Sequence, residues 1–325
     1  MFTVPASTLN RRSFLQLGSF AAAYVLMSPT GVEVSYSGLV DTMMREAVTA
    51  KVNVIPLGSN LYVIENTGGN ITVLDGPDGK PMVDAGISGS HPQILAALEG
   101  ISANPLKEAI GTHWHFDHTG GNPWLHEAGA RITAYKNTRK HMAVAKTVSP
   151  WNYTFPPVPA LGLPTRLLDA DTTLSMNGTQ IDLVHATHAH TDGDLVIAFK
   201  EGNVIAAADT FWNCYYPFID CEAGGTIDGM ISATRTNLLL ADDGTIIVPG
   251  HGPVATKRDL QEYCDMLVRI HTAVMSLKRH SMTIEEVVAA KPTARFDARW
   301  GQYAVAPDDF VRLVYSTVCC DENSN

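Results

Sequence analysis

Apolar residues recur along this chain with two periods, and their alternation predicts the architecture. After a polar helix-like stretch near residues 39–50, short β-rich runs occupy 52–57, 61–65, 71–74 and 81–84. Gly-Ser-Asn, Thr-Gly-Gly-Asn and Gly-Pro-Asp-Gly-Lys turns separate them. Ile94, Leu95, Leu98 and Ile101 then fall on one stripe and predict a helix over 91–100. A strand over 108–111 leads into a His-rich loop, and helices follow near 122–128 and 136–146. The second half repeats this plan, with strands at 180–185, 195–200, 204–207 and 245–248. Helices are expected at 227–240, 257–278, 284–290 and 307–318. The pattern predicts an α/β fold of two similar halves in one domain. Residues 149–165 break it with five prolines, Trp151 and Tyr153, the composition of a lid or binding loop.

Composition narrows the class. The chain has 325 residues, 45% of them hydrophobic, with 23 basic against 33 acidic residues and a formal charge of −10. That balance argues against a nucleic-acid partner, which requires a surplus of Lys and Arg on the binding face. No run approaches the roughly 18 apolar residues of a membrane span. Five cysteines are too few for a disulfide framework and show no C-x-x-C spacing for structural zinc. Cys214 and Cys221 can pair or stay reduced, and Cys319-Cys320 can reach Cys264. At the N-terminus, Arg11-Arg12-Ser13-Phe14-Leu15 precedes a short apolar run broken by Pro29. This resembles a twin-arginine signal, with cleavage expected after Ser37 and a catalytic domain over 38–325. The expected location is periplasmic or secreted, with the twin-arginine export machinery as a transient partner and no stable membrane span after processing.

Twelve histidines are the entry point to the chemistry. His113, His115, Asp117 and His118 stand within Thr112-His113-Trp114-His115-Phe116-Asp117-His118, immediately after a predicted strand. On an extended segment His113 and His115 project to one side. Beyond the turn, Asp117 and His118 can serve a neighbouring ion. Imidazole and carboxylate without thiolate suit Zn2+, with Fe or Mn as alternatives.

The motif H-x-H-x-D-H resembles the metallo-β-lactamase superfamily, and later motifs follow in order from about residue 55 to 255. They are His190 in Ala189-His190-Thr191-Asp192-Gly193-Asp194, Asp209 in Ala208-Asp209-Thr210, and His251 in Val248-Pro249-Gly250-His251-Gly252. Asp84 in Val83-Asp84-Ala85-Gly86 matches an early aspartate behind the metal ligands. The resemblance implies a four-layer αββα sandwich with two Zn2+ per chain. His113, His115 and His190 would hold one ion, Asp117, His118 and His251 the other, and Asp209 would bridge. His188 is expected as a pocket residue on the strand face of His190.

A dinuclear site implies hydrolysis of an acyl bond (lactone, ester, thioester or β-lactam) by a bridging hydroxide, in a small-molecule substrate with a hydrolysable carbonyl. Asp117 is the candidate for orienting the nucleophile and shuttling its proton. An aspartate at 209 favours the thioesterase and lactonase branches, because dedicated class B β-lactamases generally place Cys or Ser there. A mononuclear iron oxidoreductase of the persulfide dioxygenase type is the alternative from another reaction class. Trp212, Asn213 and Tyr216 are the candidate pocket residues, with Asn213 or Tyr216 as oxyanion donor.

Overall fold

The computed structural model describes residues 38–318. The twin-arginine motif, the expected cleavage point and Cys319-Cys320 lie outside the described residues. The first half runs α1 (Leu39–Ala47), β1 (Asn53–Gly58), β2 (Leu61–Glu65), β3 (Ile71–Leu74), β4 (Lys80–Val83), α2 (His91–Ile101) and β5 (Leu106–Gly111). It continues with α3 (Phe116–Thr119), α4 (Asn122–Glu127), β6 (Arg131–Tyr135), α5 (Lys136–Met142), β7 (Lys146–Val148), β8 (Tyr153–Phe155) and β9 (Arg166–Leu168). The second half runs β10 (Thr172–Met176), β11 (Thr179–Ala186), β12 (Asp194–Phe199), β13 (Val204–Trp212), α6 (Ile227–Leu240), β14 (Ile246–His251) and β15 (Ala255–Thr256). Helices α7 (Lys257–Arg279), α8 (Ile284–Ala289), α9 (Asp297–Trp300) and α10 (Pro307–Thr317) follow.

These strands form a seven-stranded sheet, β1-β2-β3-β4-β5-β6-β9, and a six-stranded sheet, β10-β11-β12-β13-β14-β15. The period-2 alternation explains why they stack. On β12, Leu195, Ile197 and Phe199 join Leu61, Val63 and Ile110 of the other sheet in a core between the sheets. Val196 and Ala198, pointing the opposite way, pack with Met230 of α6, Leu267 of α7 and Phe310 of α10. Across the first sheet, Ile71, Met82 and Ile132 pack on Ile94 of α2 and Leu125 of α4. Helices therefore cover the outer face of each sheet, giving the αββα layering the resemblance implied. Each fully buried aliphatic side chain contributes about 1.5–3 kcal/mol to holding these layers together.

Three departures from the sequence pattern bear on function. Residues 149–165 are partly regular: β7 and β8 form an antiparallel hairpin around a 3-10 turn at Ser149–Trp151. Helix α5 stops at Met142 because the following residues turn into that hairpin. Strand β13 runs on to Trp212, five residues past the expected end, so Asp209 lies within it. Ala208 adopts a left-handed φ of 45°, and the β13–β14 register slips there. Such a kink costs about 1–3 kcal/mol and re-aims the next side chain, which is Asp209.

Candidate metal centre

The parallel pairs β4–β5 and β13–β14 present their C-terminal ends to one edge of the sandwich. The segment after β5 carries His113 and His115, α3 carries Asp117 and His118, and the β11–β12 loop carries His190. Asp209 comes from β13, and His251 ends β14. Hydrogen bonds across the two halves fix the edge. Leu195 N donates to Thr112 O at 2.9 Å, and Asn70 N donates to Gly250 O at 2.8 Å. The Asn70 amide also donates to Pro249 O and Gly252 O, both at 2.9 Å, clamping the turn that presents His251.

All seven expected ligand side chains converge and are buried. His115 Nδ1 lies 3.1 Å from His113 Nε2 and 2.9 Å from His190 Nε2. Asp117 Oδ2 lies 3.6 Å from His118 Nε2 and 3.3 Å from His251 Nε2. Asp209 stands between the two groups. Its Oδ2 faces His113, His190 and His251 at 3.8, 3.4 and 3.6 Å, while its Oδ1 faces His118 at 3.1 Å.

The donor set fits divalent metal. Three imidazole nitrogens about 3 Å apart repel through their lone pairs unless a proton or cation lies between them. His118 Nε2 and Asp209 Oδ1 are buried and make no hydrogen bond of acceptable geometry despite their 3.1 Å approach. Protons reveal the same demand for positive charge. Burial opposes charge on His251, yet Asp209 and Asp117 push its pKa up to about 9. Burial likewise opposes charge on His118, and Asp209, Asp117 and Asp84 outweigh it, raising its pKa well above the ordinary range. His113 goes the other way, because burial and neighbouring imidazoles depress it. For Asp117 burial is outweighed by His118 and His251, which push the carboxyl down to about 2.

Outer partners fix which nitrogen each ring presents. Asp84 Oδ2 lies 2.7 Å from His118 Nδ1 and accepts from Thr112 Oγ1 at 2.8 Å. Thr112 Oγ1 in turn lies 3.0 Å from His113 Nδ1, so Asp84 steadies one ring of each group. His190 Nδ1 lies 2.8 Å from Phe218 O, which leaves Nε2 for metal. Asp220 was not singled out from the sequence. Its Oδ2 lies 3.0 Å from His115 Nε2 and accepts from Trp114 Nε1 at 3.1 Å, which turns His115 Nδ1 inward. The one signal was a carboxylate set among apolar residues in Tyr-Pro-Phe-Ile-Asp. Close approach also requires Gly69, where a Cβ would come within 2.2 Å of the His118 ring.

The expected pocket is only partly assembled. Trp212 lines the cleft, with its ring 4.4 Å from His251. Trp151, from the proline-rich segment, and Phe218 complete an aromatic wall, their rings 4.7 Å apart. Asn213 does not face the cleft: its side chain donates to Pro253 O and its backbone N to His251 O, both at 2.9 Å. Tyr216 is also turned away. It stacks on Phe310, and its hydroxyl donates to Asp297 Oδ1 at 2.9 Å. Neither is placed to meet an oxyanion. His188 lies beyond the end of β11, exposed in a left-handed turn at φ 51°, with Nδ1 2.8 Å from Gly224 O. The strand alternation that would pair it with His190 has ended by then. Among the described residues, Cys214, Cys221 and Cys264 form no disulfide with one another.

Buried imidazoles and carboxylates gathered at the edge of an αββα sandwich define a metal-dependent hydrolase. Residues 60–251 match the metallo-beta-lactamase superfamily, and the chain belongs to it. Among curated relatives, the acyl-coenzyme A thioesterase MBLAC2 of Gallus gallus is 25% identical over 223 residues, covering 60% of this chain and 79% of the relative. The hydroxyacylglutathione hydrolase GloC of Haemophilus influenzae is 26% identical over 177 residues, covering 54% and 81%. Among solved structures, a metallo-beta-lactamase from Pontibacter korlensis aligns with a TM-score of 0.55 at 16% identity, covering 67% of this chain and 99% of that one. The sec-alkylsulfatase Pisa1 from Pseudomonas sp. aligns at 0.62 and 15% identity, covering 87% of this chain and 53% of that one. These structures share the fold.

Proposed function

We propose that the chain binds two zinc ions and hydrolyses an acyl bond of the ester, thioester or lactone type. The observation that carries this reading is Asp209, whose carboxylate lies within 3.8 Å of four imidazole nitrogens drawn from both ligand groups. Such a carboxylate adds negative charge between two cations and favours a tightly held pair. The relatives described as a thioesterase and a hydroxyacylglutathione hydrolase support an acyl substrate. Bound zinc supplies a water-derived nucleophile at neutral pH and Lewis-acid polarisation of a carbonyl. The protein's part is orientation. Asp117, acidic enough to remain an acceptor at neutral pH, is positioned to orient the nucleophile's proton and hold it only briefly. Trp151, Trp212 and Phe218 exclude water from the reacting carbonyl.

Metal analysis and a panel of β-lactam, lactone, ester and glutathione-thioester substrates test the reading. Two zinc ions per chain are expected. Asp209→Asn should lower occupancy toward one and cut turnover by at least about a hundredfold, the scale of losing one electrostatic stabiliser. Full occupancy and activity in that variant would refute the bridge. One iron per chain with oxygen consumption on a persulfide would overturn the hydrolase. We also propose twin-arginine export to the periplasm or beyond, supported by Arg11-Arg12. Immunoblotted cell fractions should show Arg11→Lys, Arg12→Lys protein retained in the cytoplasm, and unchanged export would remove the proposal.

A further inference from the structure

The roof over the metal centre is built from parts of the chain outside the family-matched residues 60–251. Helix α1 contributes Leu39, Val40 and Met43, and the segment before α10 contributes Tyr303, Ala304 and Val305. Among the described residues, no Lys or Arg lines the cleft. The anionic groups facing it are Asp117 and Asp209, both already engaged with the ligand histidines. Arg45, the cation carried by α1, is exposed and donates to Thr42 Oγ1 at 3.1 Å. A carboxylate, phosphate or sulfate held against α1 and residues 303–305, away from the metal ligands, would shed its water and find no cationic side chain there. An alkyl chain would meet aliphatic and aromatic carbon along α1, residues 303–305 and the Trp151, Trp212 and Phe218 wall.

The roof also sits close over the centre: the space beneath it is about 30 Å3, room for a water molecule or two and too little for an acyl chain. Helix α1 is the element placed to move. Its C-terminal end is tied to the body, with Ser90 Oγ donating to Ala47 O at 3.4 Å and Gln93 Nε2 to Val48 O at 2.7 Å. Its N-terminal half meets the cleft through apolar side chains, and its first turn, at Gly38, has no side-chain cap.

We propose that the substrate is an uncharged acyl derivative whose apolar chain lies between α1 and residues 303–305, and that α1 swings outward to admit it. This rests on the acyl-hydrolase reading and narrows it. It separates the chain from hydrolases whose substrates are held through an anionic group close to the scissile bond.

Matched esters test it on the zinc-loaded full chain. The p-nitrophenyl octanoate should show a kcat/KM at least tenfold above the butanoate and at least a hundredfold above the mono-p-nitrophenyl ester of suberate, which ends in a carboxylate. Met43→Arg should shrink the octanoate-to-suberate ratio at least tenfold. A suberate ester cleaved as well as the octanoate, or an unchanged ratio in the variant, would overturn the proposal. A second readout needs no turnover: 2-decanone, a neutral carbonyl that cannot be hydrolysed, should alter the emission of Trp151 and Trp212. Its Kd should be at least tenfold weaker in Met43→Arg. Equal binding to both proteins, or binding to neither, would also overturn the roof. Binding of 2-decanone with no ester, thioester or lactone cleaved would instead remove the hydrolase reading and leave the roof intact.

Discussion

At the scale of single residues, the candidate ligands are oriented by neighbours outside the two donor groups. Asp220 holds His115 through Nε2 and is itself fixed by Trp114 Nε1 and the Ala223 backbone N–H. Replacing it with Asn keeps the shape but removes the charge that favours a donating Nε2 and an inward Nδ1. Asp220→Asn should weaken zinc binding about 10–100-fold, as loss of an outer-shell partner generally does. Chelator competition measures this, and far-UV circular dichroism should remain unchanged. Undiminished affinity would show that packing alone orients His115. The seven candidate ligands, which the structure brings together in two buried groups, were legible from residue types and from the motif order that carries the family resemblance. Asp220 was not, because a lone carboxylate 105 positions from its partner shows no spacing to read.

At the scale of elements, the β-strands are short and depend on stacking, whereas α7 carries its own start signal. Thr256 Oγ1 accepts from Asp259 N at 3.3 Å, and Asp259 Oδ2 accepts in return from Thr256 N at 2.9 Å. Thr256→Ala should cost about 1 kcal/mol in urea unfolding at pH 7. Burial acts to raise the Asp259 pKa, but the Thr256 hydrogen bonds and nearby Arg258 and Arg299 outweigh it and lower it. A carboxyl more acidic in the folded state stabilises above its unfolded value of about 3.9, and that contribution fades as pH falls through the folded value. The Thr256→Ala penalty should therefore shrink at pH 3, and an equal penalty at both pH values would exclude the charge contribution. The sequence predicted most of these elements by period. It missed the short strands β9, β10 and β15, and also the β7–β8 hairpin and the extension of β13, because prolines mask alternation in the hairpin and an Ala208 kink interrupts it in β13.

At the scale of the molecule, the candidate metal centre draws on both halves, which also meet through apolar contacts between the sheets and hydrogen bonds along the edge. His113, His115, Asp117 and His118 come from the first half, and His190, Asp209 and His251 from the second. Without metal the site holds two acidic groups amid imidazoles that either repel or take up protons. Chelation should therefore lower the melting temperature of the whole domain in one cooperative step. Zinc at a thousandfold excess over its Kd adds about 4 kcal/mol to the folded state. Differential scanning calorimetry with and without EDTA reads the shift. An unchanged midpoint would show that these donors hold no ion in the folded protein.

Taken by itself, the sequence determined the α/β class and the two-half plan, because periodicity is a local property of the chain, and the order of its motifs supplied the candidate ligands through a family resemblance. The tertiary structure alone decided which side chains reach the cleft. Asn213 and Tyr216 lie one and four residues beyond Trp212, yet both turn to hydrogen-bond partners elsewhere. Val40 and Val305, which lie 265 positions apart, share the roof. Contacts between such distant positions depend on how layers stack, and no local period encodes that.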